Sequence, residues 1–156
     1  MDRVVVLGRG GAGKSVLARR IATTIGALVV ELDTLFWRTP DLEPLPRAEW
    51  ARVQRAALGP DARWVADGDL GPYDDLAARL PWADTVVLLD LSLPRCAYRA
   101  LRRGRERADF WRWVVTYRRR WRPGILAAVD RDAPGADLVV LRSPRAVTAW
   151  LRGLDG

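Results

Sequence analysis

The string Gly8-Arg9-Gly10-Gly11-Ala12-Gly13-Lys14-Ser15 has the G-x-x-x-x-G-K-S spacing of a phosphate-binding loop. Its glycines let successive backbone N–H groups converge on one anion with no side chain in the way. Lys14 adds a mobile ammonium for the β- and γ-phosphates, and the Ser15 hydroxyl is a ligand for Mg²⁺. Gly8, Gly10, Gly11, Ala12, Gly13, Lys14, Ser15 and Val16 are expected to contact a nucleotide such as ATP. Lys14 is the only lysine, since every other basic residue in the chain is arginine. The same letters also fit the dinucleotide fingerprint G-x-G-x-x-G, with Asp33 placed where a ribose-binding acid would stand. The Lys-Ser pair argues against that alternative, because a dinucleotide site needs no charge at the first helical turn.

Three carboxylates, Asp33, Asp67 and Asp90, each follow a short apolar run. At the carboxyl ends of parallel strands they would line the ligand crevice. Asp90 follows Thr85-Val86-Val87-Leu88-Leu89, the pattern of a Walker-B acid, and is expected to hold Mg²⁺ with Ser15. Asp33 and Asp67 are expected to take a proton from an acceptor hydroxyl or to orient substrate or metal-bound water. Asp69 reads as a turn aspartate.

Positive charge is concentrated. Residues 95–122 carry 11 arginines against Glu106 and Asp109, while the whole chain nets +7. Such a block wants phosphate, whether as nucleotide, nucleic acid or anionic surface. Within it Arg112 and Arg119 share one helical face, and Arg118 and Arg122 share another. Arg119 is taken as the face that looks into the cleft.

The elements that must position these groups alternate. Strands are expected near 3–7, 27–32, 64–66, 84–90 and 138–141, and helices near 14–25, 47–58, 73–80, 94–103, from 108, and 144–151. Residues 34–46 read as a loop, and Pro123-Gly124 as a kink in, or the end of, the helix begun near Ala108. Apolar strands without alternation imply an α/β domain with about five parallel strands and helices on both faces, as in the three-layer P-loop NTPase sandwich. The length of 156 residues fits one domain, 1–156.

Composition removes several chemistries. The chain has no histidine, so a Ser-His-Asp triad and imidazole zinc sites are excluded. One cysteine excludes an internal disulfide. The absence of asparagine excludes the guanine-reading N-K-x-D motif. No apolar run reaches the roughly 18–20 residues of a membrane span, and no leader is evident, so a reducing cytoplasm is expected.

The segments GRGGAGKS, ELDTLFW, WVADGD, LPWADTVVLLDLSLPRC, FWRWVVTYRRRWRPGILAAV and VVLRSPRAV span nearly the whole chain. Together they resemble the small P-loop kinases related to adenylate kinase, and within them the topology-modulation (FlaR-like) group. That group usually carries D-G-N-Y where this chain has Asp67-Gly68-Asp69-Leu70. The resemblance implies ATP- and Mg²⁺-dependent phosphoryl transfer, with a nucleoside monophosphate as the first expectation for the acceptor. It implies an acceptor-binding segment at 34–62 and a short arginine-rich lid at 102–110, with Arg105 closing on the phosphates. Arg142 would lie in the adenine-side loop. Arg38 and Arg79 would meet the acceptor's anion, and Trp37 would stack on it. Two other readings stay open: a nucleic-acid-binding regulator that keeps a nucleotide site, and a phosphotransferase acting on an antibiotic or other small molecule.

Overall fold

Five short apolar segments form one parallel sheet: β1 (Arg3–Gly8), β2 (Leu28–Glu31), β3 (Trp64–Asp67), β4 (Thr85–Leu89) and β5 (Asp137–Leu141). The structure is a computed structural model and describes residues 1–37, 44–104 and 108–154. The strand order is β2-β3-β1-β4-β5. Val5 is paired with Ala66 on one side and with Val86 on the other. A dinucleotide-binding sheet of order 3-2-1-4-5-6 places its second strand beside its first. Here β3 lies between them, which removes the dinucleotide alternative.

Side chains of a strand alternate between faces, and both faces of this sheet are covered. Val5 and Leu7 enter a core with Phe36, Trp50, Tyr117 and Val129. Val4 and Val6 enter the other with Leu17, Ile21, Cys96 and Leu151. The first core is supplied by α2 (Leu32–Phe36), α3 (Arg47–Ala57), α5 (Ala108–Arg120) and α6 (Arg122–Asp132). The second is supplied by α1 (Lys14–Ile25), α4 (Leu93–Arg103) and α7 (Pro144–Leu154). The architecture is therefore the three-layer sandwich.

Three local expectations change. The segment expected to be loop from residue 34 begins inside α2, because Leu32 and Phe36, four apart, are both buried on one side of a helical turn. The helix expected at 73–80 is three 3-10 turns, at Gly71–Tyr73, Leu76–Ala78 and Leu80–Trp82. Pro72 and Pro81 sit at the starts of two of these turns and cannot continue a longer hydrogen-bonded helix. Pro123 does not end a helix. The break falls at Trp121, and Pro123 occupies the first turn of α6, where its missing N–H costs nothing.

Candidate active site

The loop between β1 and α1 lies at the carboxyl end of the central strand and borders a cleft of 1520 Å³. Two of its glycines are dictated by contact. A Cβ on Gly11 would collide with the carbonyl oxygen of Cys96 in α4, and Gly11 has φ +78°. A Cβ on Gly10 would run into the ring of Phe110 in α5. The loop thus presses between two helices, and only backbone fits. Gly10 to Val16 line the cleft, so the opening amides of α1, which have no intrahelical partners, face its space. Gly8 stands behind them and donates its N–H to Asp69 at 3.3 Å. Lys14 folds back over the loop, donating to the carbonyls of Gly8 at 2.8 Å and Arg9 at 3.3 Å. Its Nζ also lies 5.6 Å from the centre of the Trp113 ring.

The strand-end carboxylates have separate environments. Asp67 ends β3, is buried, and has the Ser15 hydroxyl and Lys14 near enough to favour its charged form. Burial pushes its carboxyl above the ordinary range, against the pull of Ser15 and Lys14. Asp33 lies in the first turn of α2 and faces the cleft. Asp69, read from sequence as a turn residue, is a buried carboxylate on the cleft wall. Besides Gly8, it accepts from the Gly71 N–H at 3.1 Å and the Tyr117 hydroxyl at 3.2 Å. Burial raises its pKa as well, with Lys14 opposing. The available signal was the pairing of two acids, Asp67 and Asp69, just past one strand.

Asp90 departs from the metal-binding expectation. Its two carboxylate oxygens accept from Arg118 Nε at 3.0 Å and Arg122 Nε at 3.1 Å, and Arg142 stands 4.0 Å away. The carboxylate is committed to guanidinium groups and does not line the cleft. Arg142 accordingly sits at Asp90, just before α7, while Pro144, Val147 and Thr148 of α7 form the cleft wall beyond it.

The arginines are also redistributed. Arg119 is exposed, two positions from the buried Tyr117 and so about 200° around α5 from it. Neither face lines the cleft: Arg118 and Arg122 pair instead with Asp90 outside it. Arg79 does not reach any acceptor anion. It is fully buried and gives a forked pair of hydrogen bonds to Asp74 at 2.8 and 2.7 Å. It also donates to Gln54 Oε1 at 2.7 Å and to the Gly68 carbonyl at 3.2 Å, pinning the turn that carries Asp69. Trp37 does line the cleft, edge-on to Tyr73 with ring centres 5.7 Å apart. Arg95, Arg99 and Arg102 of α4 also line it, and Arg99 donates to the Ala12 carbonyl at 3.3 Å. Arg38 and Arg105 lie outside the described residues, as do 38–43 of the acceptor segment and 105–107 of the expected lid.

Arg9, a variable position of the loop motif, is 2% exposed and stacks 5.4 Å from the Tyr117 ring centre. Its Nε and one Nη have no hydrogen-bond partner among the described residues, and burial lowers its pKa. Nothing in the sequence separated it from a solvated arginine.

No family model matches the chain, and no curated protein matches it. Solved structures do resemble it. A sugar kinase from Janibacter sp. HTCC2649, unliganded, is 21% identical, with 99% of this chain and 95% of that one covered and a TM-score of 0.60. A shikimate kinase from Acinetobacter baumannii, in complex with shikimate, is 14% identical over 99% of this chain and 90% of that one, with a TM-score of 0.62. A gluconokinase from Sinorhizobium meliloti 1021 is 18% identical over 99% and 93%, with a TM-score of 0.54. These likenesses establish the fold: a three-layer α/β sandwich of the form that these kinases have. Among the described residues, no helix is long and apolar enough to cross a membrane.

Proposed function

We propose that the protein is an ATP-dependent kinase that transfers the γ-phosphoryl group to a hydroxyl of a small acceptor. The observation that carries this reading is the loop wedged between Cys96 and Phe110, whose only ammonium, Lys14, stands at the floor of a cleft large enough for two substrates. The motif resemblance to adenylate-kinase-like proteins supports it, as do the names of the similar structures, kinases of a sugar, of shikimate and of gluconate.

The acceptor oxygen attacks the γ-phosphorus in line. The bond from that phosphorus to the β,γ-bridging oxygen breaks, ADP leaves, and the hydroxyl proton passes to a carboxylate. Asp33 has the exposed position on the cleft for that proton. Lys14 releases the loop carbonyls and turns to the phosphates as charge moves onto the leaving oxygens. Arg95, Arg99 and Arg102 supply fixed positive charge along the rim. The Ser15 hydroxyl and the Asp67 carboxylate are paired oxygen donors of the kind Mg²⁺ takes, and they would hold it. When bound, the ion would neutralise phosphate charge.

For the expected nucleoside monophosphate acceptor, Arg38 and Arg79 were to meet the anion; Arg38 lies outside the described residues, and Arg79 is committed to Asp74. The nucleic-acid reading relied on the basic block. Arg118 and Arg122 of that block pair with Asp90, and Arg95, Arg99 and Arg102 border the cleft, which favours a small anion as its target. Calorimetry with Mg-ATP tests the reading: wild type should bind, and Lys14→Ala should bind at least about tenfold more weakly. Well-folded wild type that takes up no heat would end it.

A further inference from the structure

Beside Lys14 the cleft has a wall whose composition is unlike that of the loop, α1 and α4. Trp37 and Asp33 share one turn of α2, where the Trp37 N–H donates to the Asp33 carbonyl at 3.0 Å. Trp37 meets Tyr73, and the Tyr73 hydroxyl donates to Asp109 at 3.2 Å, at the start of α5. One turn further along α5, Trp113 lies beneath Lys14. Tyr117 then returns the wall to Asp69 through its 3.2 Å hydrogen bond. The wall therefore presents three rings, from Trp37, Tyr73 and Trp113, and three carboxylates, from Asp33, Asp69 and Asp109, all lining the same space.

We propose that the acceptor held by this wall is a polyhydroxylated compound with no anionic group, a neutral polyol or an amino sugar. The inference rests on the phosphotransfer reading of the same site. Rings offer flat apolar faces to the C–H surfaces of such a molecule and attract an ammonium where one is present. Carboxylates accept hydrogen bonds from hydroxyl and amine donors, and repel phosphate and carboxylate groups. The described arginine best placed in sequence to meet an acceptor anion, Arg79, is sealed behind the wall and bonded to Asp74. Positive charge in the described part of the cleft comes instead from the loop, α1 and α4, where Lys14, Arg20, Arg95, Arg99 and Arg102 fit the triphosphate.

The test is a steady-state panel on the full chain with Mg-ATP, following ADP release with four sets of acceptors: neutral sugars and polyols, amino sugars, sugar acids, and nucleoside monophosphates. A neutral or amine-bearing member should exceed every anionic one in kcat/KM by at least about tenfold. Trp37→Ala should raise the KM for that acceptor by about tenfold or more with the Mg-ATP Kd nearly unchanged, and Trp37→Phe, which keeps a ring, should recover much of the loss. Turnover confined to sugar acids or monophosphates would overturn the acceptor class and leave the kinase reading intact. Tight Mg-ATP binding with no member of the panel bound or phosphorylated would also count against the acceptor class. Failure to bind Mg-ATP would remove the kinase reading and this inference together.

Discussion

Arg79 donates both ends of its guanidinium fork to the carboxylate of Asp74, at 2.8 and 2.7 Å, with the arginine wholly shielded from water. Burial alone would raise the Asp74 carboxyl, but the charge and hydrogen bonds of Arg79 outweigh it and hold the pKa below its ordinary value. Removing one partner of such a pair strands the other in a dry interior, at a cost of about 3–5 kcal/mol. Asp74→Ala should therefore lose that order of stability in urea unfolding. Asp90→Ala should lose far less, about 1 kcal/mol, because the Arg118 side chain is 53% exposed and rehydrates. Equal losses for the two variants would show that the contrast in burial does not govern their energetics.

Gly11 is the loop position least able to change. Alanine there would meet the Cys96 carbonyl and would have to hold a left-handed backbone, itself a cost of roughly 1–2 kcal/mol. Gly11→Ala should shift the loop and abolish measurable Mg-ATP binding. Gly135→Ala, a position where an added Cβ meets nothing within 4 Å, should bind normally. Calorimetry on both variants decides the matter.

Acid should act in two opposite senses. Burial raises Asp67 and Asp69 above their ordinary pKa, so the folded chain binds more protons there than the unfolded chain. Their contribution favours folding below the unfolded value, about 3.9, and is lost as pH rises through the folded value. Asp74, held low, contributes above the unfolded value and loses its contribution only as pH falls through its depressed one. Asp69→Asn should therefore flatten the decline of unfolding free energy as pH rises above the unfolded value, about 3.9. An unchanged slope in urea titrations at several pH values would refute the assignment.

Ser15 and Asp67 should set the magnesium requirement. Asp67→Asn should raise the Mg²⁺ concentration needed for half-maximal ATP binding by about 10–100-fold and leave metal-free nucleotide binding less affected. Asp90→Asn should not shift the Mg²⁺ midpoint, because that carboxylate belongs to Arg118 and Arg122. A midpoint that moves with Asp90 and not with Asp67 would reverse the roles given to them.

Local features were legible in the sequence. The loop, its strand and its helix sit in one run, residues 3–25, and Gly26 ends α1 as expected, at φ +66°. All five strands could be located because each is a short apolar run. What escaped was tertiary. The partners of Asp90 lie 28 and 32 residues away, so its strand-end pattern looked like that of a metal ligand. The burial of Arg79 depends on Gln54 of α3 and Asp74 of the turns, a combination no spacing rule reports. The choice between Arg118 and Arg119 hangs on a 100° rotation of α5 against the sheet, which Tyr117 fixes from inside the core. Asp69 looked like an ordinary turn acid because Tyr117 reaches it from 48 residues away.

Because β1 is the middle of the five strands, flanked on both sides by parallel neighbours, its amides should be among the last to exchange with heavy water. The outer strands β2 and β5, each with one open edge, can fray while the anchor of the phosphate loop stays in place. The protein can thus loosen at its margins, where Leu28 and Leu138 are exposed, and still hold the loop after β1 in shape.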